Sequence, residues 1–80
     1  MSLAPNPAQE YITILNSDTE YLRNNLESIV VFDLTGMNVI VFAEVTSGTF
    51  YIGDLANGMY FVKLNFVDNS NLIAKVLISK

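Results

Sequence analysis

Apolar residues recur at every second position along most of the chain, and the helical period is nearly absent. The first alternating run is Glu10–Leu15, with Ile12 and Ile14 on one face and Tyr11 and Thr13 on the other. A polar stretch, Asn16–Asn25, follows and reads as a long loop. Tyr21 and Leu22 interrupt it, either pinning it down or forming a short strand or helical turn. Leu26–Leu34 is rich in β-branched residues and places Ile29 and Val31 on one face. Thr35-Gly36 reads as a hairpin tip, because glycine accepts a positive φ without steric cost. In the return strand, Met37–Glu44, Val39 and Val41 alternate with Ile40 and Phe42. Both faces are apolar, which predicts a strand inside a sandwich or covered by a neighbour.

Thr46-Ser47-Gly48 makes the next turn and Thr49–Ile52 a short strand. Gly53–Gly58 is a connection with Leu55 as its apolar plug. Met59–Phe66 sets Tyr60, Val62, Leu64 and Phe66 on one face. Asp68–Asn71 supplies turn formers, and Leu72–Ile78 turns Leu72, Ala74, Val76 and Ile78 inward and Lys75 outward. Six or seven short strands with turn signals about every ten residues predict an antiparallel β-sandwich or small barrel. No helical crossover is long enough for a βαβ unit.

Both prolines, Pro5 and Pro7, flank Asn6 just ahead of the first strand. Each fixes its own φ, biases the residue before it away from helix, and lacks a donor for a ladder. The expectation is an extended segment that ends the sheet at Ala8 and keeps upstream chain from joining it. Residues 1–3 are compatible with a cloning remnant, leaving 4–80 as a single domain.

Composition sharpens this picture. Eighty residues make one domain, and a domain this small buries only about 60% of its unfolded surface. The chain is 51% hydrophobic and 15% charged, against about 25% charged for an average soluble domain. This composition argues against disorder, and either both sheet faces are largely covered or apolar surface is left for a partner. Cysteine and histidine are both absent. That removes disulfides, thiolate metal sites and the commonest general base. The net charge of −4 argues against nucleic acid as a partner. The charge is uneven: residues 1–62 hold seven carboxylates against Arg23, whereas 63–80 hold Lys63, Lys75 and Lys80 against Asp68. Lysines on a terminal strand are a common protection of a sheet edge. No apolar run approaches the roughly 20 residues of a membrane-spanning helix, and no signal peptide is visible.

The carboxylates form no catalytic motif and fall mostly at strand ends and turns. Asp33 is placed to accept the Thr35 backbone N–H in an Asx-type turn. "DNSN" at Asp68–Asn71 has too few acids for a calcium loop, and the glycines make no phosphate cradle. No catalytic, cofactor or metal site emerges, which leaves a binding or structural β-domain.

The ordered set "PNPA", "VVFDLTG", "DLANGMYFVKL" and "LIAKVLISK" resembles the C-terminal sorting domain of type IX secretion cargo, type A. The likeness covers Pro5 to Lys80. Pro5, Asn6 and Pro7 match the family's opening, and Asp33, Thr35 and Gly36 its "DLTG" hairpin, with Phe32 where tyrosine is usual. Leu55, Gly58 and Tyr60 match its "L..G.Y" element, and Lys63, Lys75 and Lys80 its basic positions. Ala4 replaces the usual aromatic residue, and the loop 16–25 is longer than usual. The resemblance implies an all-β, immunoglobulin-like antiparallel β-sandwich of about seven short strands, non-catalytic and without a cofactor. It further implies an upstream cargo in a longer precursor, an outer-membrane translocon, a sortase-like peptidase, and delivery to the medium or cell surface of a Gram-negative bacterium. On the residues alone, Tyr60 reads as core with its hydroxyl near the rim, Gly58 as a position of positive φ or of close backbone approach, and Lys75 as the lysine best placed for recognition.

Two other readings remain open at this point. An accessory binding module, fibronectin-like or carbohydrate-binding, would need an aromatic platform, for which Tyr11, Tyr21, Tyr51 and Phe61 are the candidates. A structural subunit would associate through apolar faces or edges, and a strand-mediated homodimer fits any of these.

Overall fold

A computed structural model describes residues 2–15, 19–43 and 48–80. The alternating runs become strands wherever one face can be buried. Those strands are β1 (Ser2–Ala4), β2 (Tyr11–Leu15), β3 (Leu26–Asp33), β4 (Asn38–Phe42), β5 (Thr49–Tyr51), β6 (Gly58–Phe66) and β7 (Asn71–Ile78), with one helix, α1 (Thr19–Asn25). β1, β2 and β5 form a three-stranded sheet in that order, and β4-β3-β6-β7 a four-stranded one. All strand pairs are antiparallel. Placing β2 and β5 in one sheet and β3, β6 and β7 in the other is the partition of an immunoglobulin-like sandwich. The barrel alternative is thereby set aside.

The core lies between the sheets. Ile12, Ile14 and Phe50 face it from one side, and Ile29, Val31, Tyr60, Val62, Leu64, Val76 and Ile78 from the other. Val62 and Leu64 are wholly buried, each stabilising by about 1.5–3 kcal/mol relative to an exposed side chain. Leu55 plugs the end of the core from the connection before β6, as its lone apolar character suggested.

Three expectations need correction. First, the stretch 16–25 is not all loop: of the alternatives left open for Tyr21 and Leu22, the helical turn holds. Its described part is α1, seven residues that deliver Leu22 to the core at 1% exposure. Glu20 in the first turn and Arg23 in the last suit the helix dipole, and the Asn25 carboxamide donates to the Tyr21 carbonyl at 2.9 Å. Second, β4 is not interior but an edge strand. Ile40 and Phe42 pack on the core while Val39 and Val41 face outward, because β3 is its partner in the sheet and the register skips Val39 as a bulge. Third, the prolines do not keep preceding chain out of the sheet. Ser2–Ala4 pairs with Thr13–Leu15, and Leu3 packs against the core. Pro5 and Pro7, each preceded by a cis peptide bond, lie in the connection between two paired strands rather than at a sheet boundary. The lack of a proline donor stops the ladder only at the prolines themselves. The predicted turn at Thr46-Ser47 and the end of the Met37–Glu44 strand lie outside the described residues.

Candidate functional site

Most of the residues expected to carry the sorting motif gather in three places. The first is the β3–β4 hairpin. The Asp33 carboxylate accepts the backbone N–H of Thr35 at 2.9 Å and of Met37 at 3.2 Å, and also the Thr35 hydroxyl. Asp33 sits where the turn must tighten, and Gly36 follows with φ of 88°. These donors, the Thr35 hydroxyl foremost, hold the Asp33 carboxyl below its ordinary value. The Asx turn expected from the sequence is present, and it is a folding device: one carboxylate oxygen, Oδ1, accepts all three of these donors.

The second place is the connection into β6. Gly58 has φ of 154°, as its position before the strand suggested. Two residues on, the Tyr60 hydroxyl donates to the Ala56 carbonyl at 2.7 Å. A tyrosine at the start of this strand, bonded back to the preceding corner, is a recurrent brace of immunoglobulin-like domains. Lys80 closes the same corner. Its backbone N–H donates to the Asn57 carboxamide oxygen at 3.0 Å and its ammonium to the Gly53 carbonyl. Leu55, Gly58, Tyr60 and Lys80, scattered in sequence, thus stabilise one end of the sandwich.

The third place joins the chain's two ends. The Asn6 side chain accepts the Leu77 N–H at 3.1 Å and faces the Lys75 carbonyl with its amide nitrogen at 3.4 Å. Ala8, fully buried, continues alongside by donating to Leu77 O at 2.8 Å and accepting from Ser79 at 2.9 Å. The long-range bonds of Ala8 and Asn57 have no signal in the sequence, since small or polar residues that bond across more than 20 positions leave no local periodicity.

Lys63 and Lys75 stand apart from these braces. Both project from the outer face of the four-stranded sheet. The register aligns Val41, Val30, Lys63 and Ile73 in one cross-strand row and Asn38, Phe32, Phe61 and Lys75 in the next. Phe32 and Phe61 stack with ring centroids 5.5 Å apart. A shallow groove of about 320 Å³ runs over Val30, Phe32, Lys63 and Ile73 to the Gly36 turn. Val41 and Ile73 are more than half exposed. Among the described residues neither lysine has an ion-pair partner, so each charge is free to meet an incoming anion while its stem lies on apolar surface.

The four aromatic candidates for a binding platform do not all share one face. Tyr11 and Tyr51 meet edge to face at 5.3 Å on the outer face of the three-stranded sheet. Negative charge on Asp54, with some burial and with Glu10, pushes the Tyr51 hydroxyl pKa up. Tyr21 is on α1, and Phe61 is on the opposite outer face. Among the described residues no group of three or more His, Cys, Asp or Glu is placed to hold a metal ion.

Polar residues thus brace the turns and edges of an immunoglobulin-like sandwich, and Lys63 and Lys75 stand on the apolar outer face of its four-stranded sheet. The chain belongs to the secretion system C-terminal sorting domain family, whose model matches residues 2–79. Families of this kind are in general non-catalytic, and the domain marks a protein for type IX export across the outer membrane, to the surface or the medium, as part of a longer precursor. No curated protein matches the chain.

Proposed function

We propose that the domain is read by the type IX translocon through the outer face of the four-stranded sheet, and that it does no chemistry of its own. The observation that carries this is the placement of Lys63 and Lys75, unpaired among the described residues, within the apolar rows of Val30, Phe32, Phe61 and Ile73. Such a face suits a protein partner that presents apolar side chains bordered by carboxylates. The rest of the domain is acidic and would repel that partner, so the charge pattern also fixes which face docks. After passage, a sortase-like peptidase removes the domain, and the cargo is released or attached to surface lipopolysaccharide.

The test is a fusion of residues 2–80 to a periplasm-directed reporter in a host with this secretion system. Lys63→Glu with Lys75→Glu should strand the reporter in the periplasm while the purified domain keeps its fold. Secretion at the level of the unaltered fusion would exclude this face.

A further inference from the structure

The outer edge of β7 is not open along its length, and what closes part of it is a side chain. Ala8 forms a parallel bridge with Ile78: its N–H donates to the carbonyl of Leu77 and its carbonyl accepts the N–H of Ser79. That is the bonding of one residue in a parallel ladder, reaching one position back and one forward on the partner strand. Two residues earlier the same pattern recurs, shifted by two on β7. The Asn6 Nδ2 faces the Lys75 carbonyl and the Oδ1 accepts the Leu77 N–H. Here the groups belong to the carboxamide rather than to the backbone. A carboxamide is a peptide group in miniature, with a donor and an acceptor at similar spacing. Neither neighbouring proline has an N–H to offer.

We infer that Asn6 is a positioning residue that acts as a surrogate strand residue. Its carboxamide extends the Ala8 ladder by one step, closes the β7 edge around Lys75 to Leu77, and holds the strand segment from which Lys75 projects. The inference rests on the sorting reading only for its functional consequence. The cap itself is a property of the isolated domain. An uncapped edge strand exposes a row of unpaired groups to any other strand. The cap therefore also turns the accessible part of this region to its side-chain face, where Lys75 stands, rather than to its backbone edge. The chemistry restricts what can replace it. Asn6→Ala removes donor and acceptor together, and Asn6→Leu fills the space with no polar group.

Amide hydrogen exchange on the purified domain decides the first part. In Asn6→Ala, exchange at Leu77 should rise about tenfold, the effect of losing one modest hydrogen bond, while Val62 and Leu64 in the sheet centre keep their protection. Unchanged exchange at Leu77 overturns the cap. So does an equal rise at Leu77, Val62 and Leu64, or outright unfolding, because either makes Asn6 a determinant of the whole fold. Secretion of the reporter fusion decides the second part: Asn6→Ala should lower it several-fold below the unaltered fusion at a temperature where both are folded. Equal secretion overturns the positioning role. Failure of the unaltered fusion to be secreted would instead remove the sorting reading and leave the exchange result standing.

Discussion

The Tyr60 hydroxyl donates to the carbonyl of Ala56, four residues back, across the corner that opens β6. The ring is buried among the core residues while its oxygen reaches the rim. Tyr60→Phe deletes only the bond and leaves an exposed carbonyl that water can satisfy, so the expected loss is about 1 kcal/mol. Tyr60→Ala also opens a cavity and should cost about 3–5 kcal/mol, by analogy with other aromatic truncations. For a domain of this size that approaches the whole stability. Urea denaturation of the two variants measures both, and similar losses would show that the hydroxyl, not the ring, governs the corner.

Gly58 illustrates a cost that no contact reveals. A Cβ built there meets only Tyr60 Cε2, at 3.8 Å, so space is not the limitation. The backbone is, because φ of 154° is a conformation that L side chains rarely adopt. Gly58→Ala should therefore destabilise by about 1–3 kcal/mol. D-alanine at the same position, introduced by chemical ligation, should recover most of that loss. A D-alanine variant as unstable as the L-alanine one would mean that packing, not φ, selects glycine.

Two turns are held by the same device. Asp33 binds Thr35 and Met37, and Asp68 accepts the Ser70 N–H at 2.9 Å together with the Ser70 hydroxyl. Side-chain hydrogen bonds, first among the causes, lower the pKa of both carboxyls below the ordinary aspartate value. A depressed folded-state pKa means stability that is present above the unfolded pKa and is lost as pH falls through the folded one. Thermal stability should thus fall as pH drops below the ordinary aspartate range, about pH 4. Asp33→Asn combined with Asp68→Asn should flatten that acid limb. An unchanged acid limb would assign the pH dependence to other carboxylates.

How much of this was legible in the sequence follows the range of the interactions. β6 and β7 were readable because Tyr60, Val62, Leu64, Val76 and Ile78 alternate without interruption, and their inward faces are those predicted. The Asp33 turn was readable because donor and acceptor are two residues apart. α1 was legible only as one of several alternatives at Tyr21 and Leu22, because a seven-residue helix that buries Leu22 leaves too few apolar positions to set a period. β1 was hidden because its partner is β2, beyond both prolines. The partnership of Asn6 and Ala8 with residues 75–79 spans nearly the entire chain and has no local signature. Lys75 was recognisable as outward-facing, but its setting among Phe61 and Ile73 depends on a strand register that no local pattern fixes.

β4 gives the sharpest test of that register. Its two faces look alike in sequence, but the fold distinguishes them. Val41 lies opposite Val30 on the outer face and is 56% exposed, whereas Ile40 lies opposite Val31 and packs on the core. Val41→Lys should leave stability within about 0.5 kcal/mol, as for other substitutions on exposed surface. Ile40→Lys forces an ammonium against the core and should cost several-fold more. The same Val41→Lys change adds a charge to an exposed edge strand, which opposes pairing with a second chain. If the domain self-associates through β4, sedimentation should show the wild type shifting toward dimer with concentration and Val41→Lys remaining monomeric. Equal destabilisation by the two substitutions would mean that both faces of β4 are covered, as a strand inside the sandwich would be.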